Sequence, residues 1–236
     1  MHDPSFPINS CHLESFSPEK RELLEKHLAL VLEANKKINL TSITSFEEGL
    51  LLHIEDALAG FSELSNAPKG LYVDIGTGAG YPGIPLAIVS ERDTLLVDSV
   101  QKKTKVLDKM LVELGISSNV RTYGGRIEAL AQARREEFAV VSARALSSLA
   151  ALLELSSPLL QQSGRLICYK AQQSEEELAV AKALEEKLGM RLVSNRSFFL
   201  SDNVTKRQIL VYEKYKQPEV ALPRREGMAQ KRPYRA

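Results

Sequence analysis

Two patterns of apolar residues divide the chain. Up to residue 64 they recur at helical spacing. Ser17-Pro18-Glu19 supplies a cap, a first-turn proline and an acidic residue, and Leu24, Leu28, Val31 and Leu32 follow on one face up to about Asn35. Leu50, Ile54, Ala57 and Phe61 predict a second helix over 46–64, which Asn66-Ala67-Pro68-Lys69-Gly70 ends. From Leu71 short apolar runs take over, at 71–75, 94–98, 120–123, 138–142 and 165–169, with helical patterns near 83–90, 102–114, 127–136, 145–162 and 175–188. The last of these opens on a capping box, Ser174 with Glu177, and stops at Gly189. Such alternation means parallel strands, because each crossover must carry the chain back along the sheet. Two extended runs, 191–200 and 207–214, then meet at Ser201-Asp202-Asn203 with no helix between them. The expected fold is therefore α/β, a seven-stranded, mostly parallel, doubly wound sheet closed by an antiparallel hairpin. Residues 1–66 would form an N-terminal helical extension packed on the core, 67–216 the ligand-binding domain, and 217–236 a tail.

Composition narrows the class. The 236 residues are 44% apolar and 26% charged, which suits a globular enzyme and excludes a disordered or collagenous chain. Cys11 and Cys168 lie too far apart for a metal pair or a redox motif, so no metal is expected and a reducing cytosol is the natural setting. MHDPSFPINS lacks the basic-then-apolar order of a secretory signal, and no run is long enough to span a membrane. The formal net charge of +1 argues at first against a nucleic-acid partner, but the charge is uneven. Residues 217–236 hold Arg224, Arg225, Lys231, Arg232 and Arg235 against Glu219 and Glu226, a balance of +3 that leaves −2 on the rest. Pro218, Pro223, Gly227 and Pro233 predict an extended tail there, serving either as a solvated terminus or as an RNA-binding arm.

The candidate chemistry sits where the first strand run gives way to a helix, in Asp74-Ile75-Gly76-Thr77-Gly78-Ala79-Gly80-Tyr81-Pro82-Gly83. Glycines at such a turn let a ligand approach the main chain closely. The loop fits two templates. Gly78-x-Gly80-x-x-Gly83 matches the dinucleotide fingerprint, and Asp74-x-Gly76-x-Gly78 matches the S-adenosylmethionine signature of Rossmann-like methyltransferases. In either case Asp98, twenty residues past Gly78, can accept hydrogen bonds from both ribose hydroxyls. The methyl donor is favoured by the acidic residue ahead of the glycines, the closing hairpin and the lack of a second domain. A nicotinamide-dependent oxidoreductase is the alternative enzyme, and a non-catalytic RNA-binding module for ribosome assembly is the alternative outside enzymes.

The acceptor is narrowed by what the fourth strand lacks. It ends Ser142-Ala143-Arg144-Ala145 rather than in the Asn/Asp-Pro-Pro-aromatic motif of exocyclic-amine enzymes, and it has no cysteine for pyrimidine C5 chemistry. Guanine N7 needs no base, because its lone pair is already free. His27 and His53 fall within helical patterns and read first as packing residues. Arg144 and Lys170 end strands on the ligand edge of the sheet, where either could orient a substrate or form an ion pair.

Taken together these residues resemble the bacterial small-subunit (16S) ribosomal RNA guanine-N7 methyltransferase family, RsmG or GidB. The likeness runs through Ile38-Asn39-Leu40-Thr41-Ser42-Ile43, His53 to Leu58, Asp74 to Pro85, Leu96-Val97-Asp98-Ser99 with Lys102-Lys103, and Arg126-Ile127-Glu128. It continues through Ser142 to Ala145, Lys170 and the closing Pro223-Arg224-Arg225-x-Gly227. The resemblance implies a class I methyltransferase that uses S-adenosyl-L-methionine on a guanosine in the 530-region loop of 16S RNA, naked or in the small subunit. It implies Gly76 and Tyr81 at the methionine end of the donor, Asp98 at its ribose, Ile127 and Glu128 beside the adenine, and Arg144 as a further contact. Asp74 and Gly78 belong to the same loop, and Arg207 would face the RNA. Tyr81 stands where Phe or Leu is commoner in that family, Ala171 and Leu222 replace a glycine and a tyrosine, and Glu55-Asp56-Ala57 replaces Leu-Asp-Ser.

Overall fold

The computed structural model describes residues 13–234, so Cys11, the first ten residues and Arg235 lie outside it. After a short 3-10 turn (Leu13–Ser15), α1 (Pro18–Asn35) starts where the Ser17 hydroxyl accepts from the Lys20 amide. The predicted second helix is instead four pieces: α2 (Phe46–Gly49), a π-helical stretch Leu50–Glu55, α3 (Asp56–Leu58) and α4 (Phe61–Ser65). Gly60 stands at the last break, as the cap of α4. A Cβ there would meet the ring of Tyr169, whose hydroxyl donates to the Ala57 carbonyl at 2.8 Å.

Seven strands follow: β1 (Leu71–Ile75), β2 (Thr94–Asp98), β3 (Val120–Gly124), β4 (Phe138–Arg144), β5 (Leu160–Lys170), β6 (Met190–Phe199) and β7 (Lys206–Lys214). Their order is β3-β2-β1-β4-β5-β7-β6. The first five are parallel; β7 runs antiparallel to β5 and pairs with β6 in the predicted hairpin. The crossovers are α5 (Gly83–Ser90), α6 (Gln101–Glu113), α7 (Ile127–Ala133), α8 (Leu149–Ser156) and α9 (Glu175–Leu188). α8 is shorter than the predicted 145–162, because Leu160 pairs with Phe138 and opens β5 early. The strand order reverses between β1 and β4, and the crevice above that point is where doubly wound sheets bind ligands.

The helical extension shares a core with the sheet domain. Leu24, Leu28 and Val31 of α1 pack with Ile84 of α5, Leu96 of β2 and Leu107 of α6, all buried. At roughly 2 kcal/mol per buried aliphatic side chain, this seam joins the two parts firmly.

The tail is not extended and free. Leu222 and Ala229 are buried against the main core, and α10 (Met228–Lys231) forms one turn within it. Arg224 grips the buried Glu154 of α8 through two contacts of 2.6 Å. Arg135 donates to the Leu222 carbonyl at 2.6 Å. The prolines did exclude a long helix, but proline content says nothing about docking. Ion pairs and apolar contacts across the fold decided that.

Candidate functional site

A cleft opens over the C-terminal ends of β1, β2 and β3. Gly76, Gly78, Val97, Asp98, Ile127, Glu128 and Gln230 contribute to its walls. Gly76 needs its lack of side chain twice over: its φ is +70°, and a Cβ would press on Leu146 at 2.6 Å. Around Gly78 the space is open, which leaves the main chain bare toward the cleft. Asp98 is anchored at both oxygens, accepting from the Gly78 amide at 3.0 Å and the Val100 amide at 2.8 Å. Each carboxylate oxygen keeps a second lone pair, so this fixed group can still accept two hydroxyls. Ile127 and Leu146 add apolar surface. A nucleoside with vicinal hydroxyls fits these residues.

Five of the eight residues expected at the donor therefore line one cleft: Gly76, Gly78, Asp98, Ile127 and Glu128. Asp74, Tyr81 and Arg144 are not among its lining residues. Asp74 is fully buried and faces inward, accepting from Ser142 Oγ at 2.6 Å and the Gly83 amide at 3.0 Å. Burial pushes its carboxyl up to about 6. Its work is to tie β1 to β4 and to the start of α5, which shapes the glycine loop. Gly83 permits this, since a Cβ there would meet the Asp74 carboxylate.

Tyr81 and Arg144 belong to a second, buried network that the sequence reading did not assemble. The Tyr81 ring stacks on His53 at 4.4 Å, meets His27 at 4.7 Å and lies under the Arg144 guanidinium at 5.4 Å. Arg144 Nη2 lies 3.2 Å from His53 Nδ1. As a guanidinium can only donate, that nitrogen accepts, and Nε2–H of His53 is left to donate to Thr41 Oγ1 at 2.8 Å. Arg144 Nη1 donates to Asp56 Oδ2 at 2.9 Å, and Arg207 Nε donates to Asp56 Oδ1 at 3.0 Å. One buried carboxylate thus holds two of the three candidate substrate-orienting cations.

Burial, with Arg144 alongside, lowers His53 to about 4, so the ring is neutral. His27, whose Nε2 lies 3.2 Å from the Ala79 carbonyl, is lowered to about 3 by burial. The signal for this network was present in the helical spacing of His53 and Asp56, but only the fold brings β4 and β7 to them. Lys170, the third candidate, donates to the Ser147 carbonyl at 2.6 Å and pairs with Glu177 at 3.3 Å, which braces the start of α9 against the loop before α8. Cys168 is buried, and its thiol is pushed up to about 12, so it is no nucleophile at neutral pH.

The sheet order, the glycine loop and the carboxylate at the end of β2 define a Rossmann-like class I methyltransferase fold. Solved structures agree on the fold: the YcgJ protein from Bacillus subtilis (TM-score 0.54, 12% identity, 70% of this chain and 100% of that one) and geranyl diphosphate methyltransferase with GPP and sinefungin (TM-score 0.56, 11% identity, 84% and 100%). At the level of family, a model described as rRNA small subunit methyltransferase G matches residues 20–209. Relatives named ribosomal RNA small subunit methyltransferase G are 36% identical over 224 residues in Carboxydothermus hydrogenoformans (93% of this chain, 94% of that one) and 37% identical over 224 residues in Streptococcus pyogenes serotype M49 (93% of each). The chain belongs to the rRNA small subunit methyltransferase G (GidB) family of methyltransferases.

Proposed function

We propose that the protein transfers a methyl group from S-adenosyl-L-methionine to N7 of a guanosine in the 530-region loop of 16S ribosomal RNA. The observation that carries this reading is the Asp98 carboxylate, fixed by two backbone amides beside bare glycine backbone in a chain of this family. Asp98 would hold the ribose hydroxyls, Gly76 and Gly78 the amino-acid arm, and Ile127 with Glu128 the adenine. Bound there, the donor supplies a methyl carbon activated by a sulfonium, so the chain need only align the acceptor and exclude water.

An N7 lone pair needs no proton removed. This agrees with His53, stacked on Tyr81 of the glycine loop, being neutral and committed at both nitrogens. In this reading Arg144 is a positioning residue, acting through Asp56 and Tyr81, while Arg207 and the exposed Lys206 on β7 face the RNA backbone. Lys170 takes a supporting role.

Methyl groups mapped on 16S RNA from cells lacking this gene test the reading. The target guanosine should be unmodified in those cells and become modified when small subunits from them are incubated with the purified protein and donor. A fully methylated guanosine in the deletion cells would sink the proposal.

A further inference from the structure

The basic C-terminal segment invites an RNA-binding role, yet Arg224 and Gly227 turn inward to the fold. Gly227, at φ +74°, donates its amide to Glu128 Oε1 at 2.7 Å, one of the residues lining the cleft. Arg224 holds Glu154 and, through Nη2, the Arg232 carbonyl at 2.8 Å, while its guanidinium lies 4.1 Å from the Tyr234 ring. The segment between is thus fixed at both ends. One helical turn past Gly227, the Gln230 side chain is exposed and lines the same cleft as Asp98, Ile127 and Glu128.

We propose that residues 222–232 form the adenine end of the donor site, with Gln230 as a donor-binding residue that reads the adenine base. A carboxamide carries one donor and one acceptor face and so matches the 6-amino group and adjacent ring nitrogen of adenine in a paired hydrogen bond. Gly227 acts through Glu128: its amide takes one oxygen of that carboxylate and fixes the other toward the cleft. In this arrangement the segment closes the donor site. This inference rests on the proposed methyl-donor reading.

Gln230→Ala removes only an exposed side chain, so the fold should survive. Titration calorimetry with S-adenosylhomocysteine, without RNA, should show about tenfold weaker binding for Q230A than for wild type. The 6-oxo analogue, S-inosylhomocysteine, should bind wild type about tenfold more weakly than the adenosyl compound, and Q230A should discriminate between the two much less. In turnover with small subunits, KM for the donor should rise while kcat and KM for RNA hold. Equal affinity of wild type and Q230A for S-adenosylhomocysteine overturns the inference, as does a rise in KM for RNA alone, which would mark an RNA arm. Failure of wild type to bind S-adenosylhomocysteine would overturn the methyl-donor reading itself, a result distinct from equal binding by both proteins.

Discussion

At the residue scale, Asp98 and Tyr81 show what a sequence can and cannot give. The spacing from Gly78 to Asp98 is a local consequence of one strand–helix–strand unit, so it could be read directly, and the structure closes it with a 3.0 Å hydrogen bond. Tyr81 sits in the same loop, yet its ring faces His27, His53 and Arg144, which arrive from α1, the π-helical stretch and β4. Nothing local announces that meeting. Two predictions follow from the difference. Asp98→Ala should weaken S-adenosylhomocysteine binding at least tenfold by calorimetry, since a hydrogen bond to a charged group contributes about 1.5–3 kcal/mol. Tyr81→Phe should raise the denaturation midpoint by the equivalent of about 1 kcal/mol. The Tyr81 hydroxyl is buried without a hydrogen-bond partner among the described residues, and deleting it removes a desolvated polar group while keeping the stacked ring. A destabilised Y81F protein in urea titration would mean that the hydroxyl is satisfied in solution.

At the scale of elements, every strand and crossover helix was legible, because period and turn residues are properties of short segments. The exceptions share one cause. The second helix is predicted whole from Leu50, Ile54, Ala57 and Phe61, but the chain turns at Gly60, where Tyr169 of β5 packs so closely that no side chain fits. The π-helical stretch carries His53 and leads into Asp56, and its wider turn offers the Leu52 carbonyl to Arg144 at 3.0 Å. Irregular turns of this kind are often found where side chains must be re-aimed. The tail was misread for a similar reason: its partner, Glu154, lies 70 residues away in sequence. Arg224→Ala should therefore destabilise the protein by about 3 kcal/mol, since it leaves Glu154 buried and unpaired. The double variant Glu154→Leu with Arg224→Met should recover most of that loss, and calorimetric melting of the three proteins checks both statements. A fully stable R224A protein would mean that the buried Leu222 and Ala229, with the hydrogen bonds from Arg135 and Gly227, hold the tail without the ion pair.

At the scale of the whole molecule, the ionisable groups buried around the glycine loop link its geometry to pH. His27 on α1, lowered to about 3 by burial, reaches the Ala79 carbonyl, and His53 is lowered to about 4. Both are neutral in the folded chain but titrate near 6.5 when unfolded, so acidification from pH 6.5 toward 4 puts protons on the unfolded state alone and stability falls. Asp74 has the opposite sign. Its carboxyl, raised by burial to about 6, takes a proton in the folded state before the unfolded chain does, near 4, and so offsets one histidine over that window. Around pH 5 these three groups together leave close to one extra proton on the unfolded chain, a contribution of about 1.4 kcal/mol per pH unit to the loss. His27→Gln keeps a donor for Ala79 but removes one titrating group, and should make the slope between pH 4.7 and 5.7 shallower than that of wild type by about 1.3 kcal/mol per pH unit. Urea midpoints of both proteins across that range measure it. If wild type and H27Q lose stability in parallel, His27 is not held neutral by the fold. The same experiment bears on the helical extension, because α1 touches the glycine loop through this imidazole. A carboxamide at this position is neutral in the folded and the unfolded chain alike, so in H27Q acid no longer draws α1 off the loop by protonating this group.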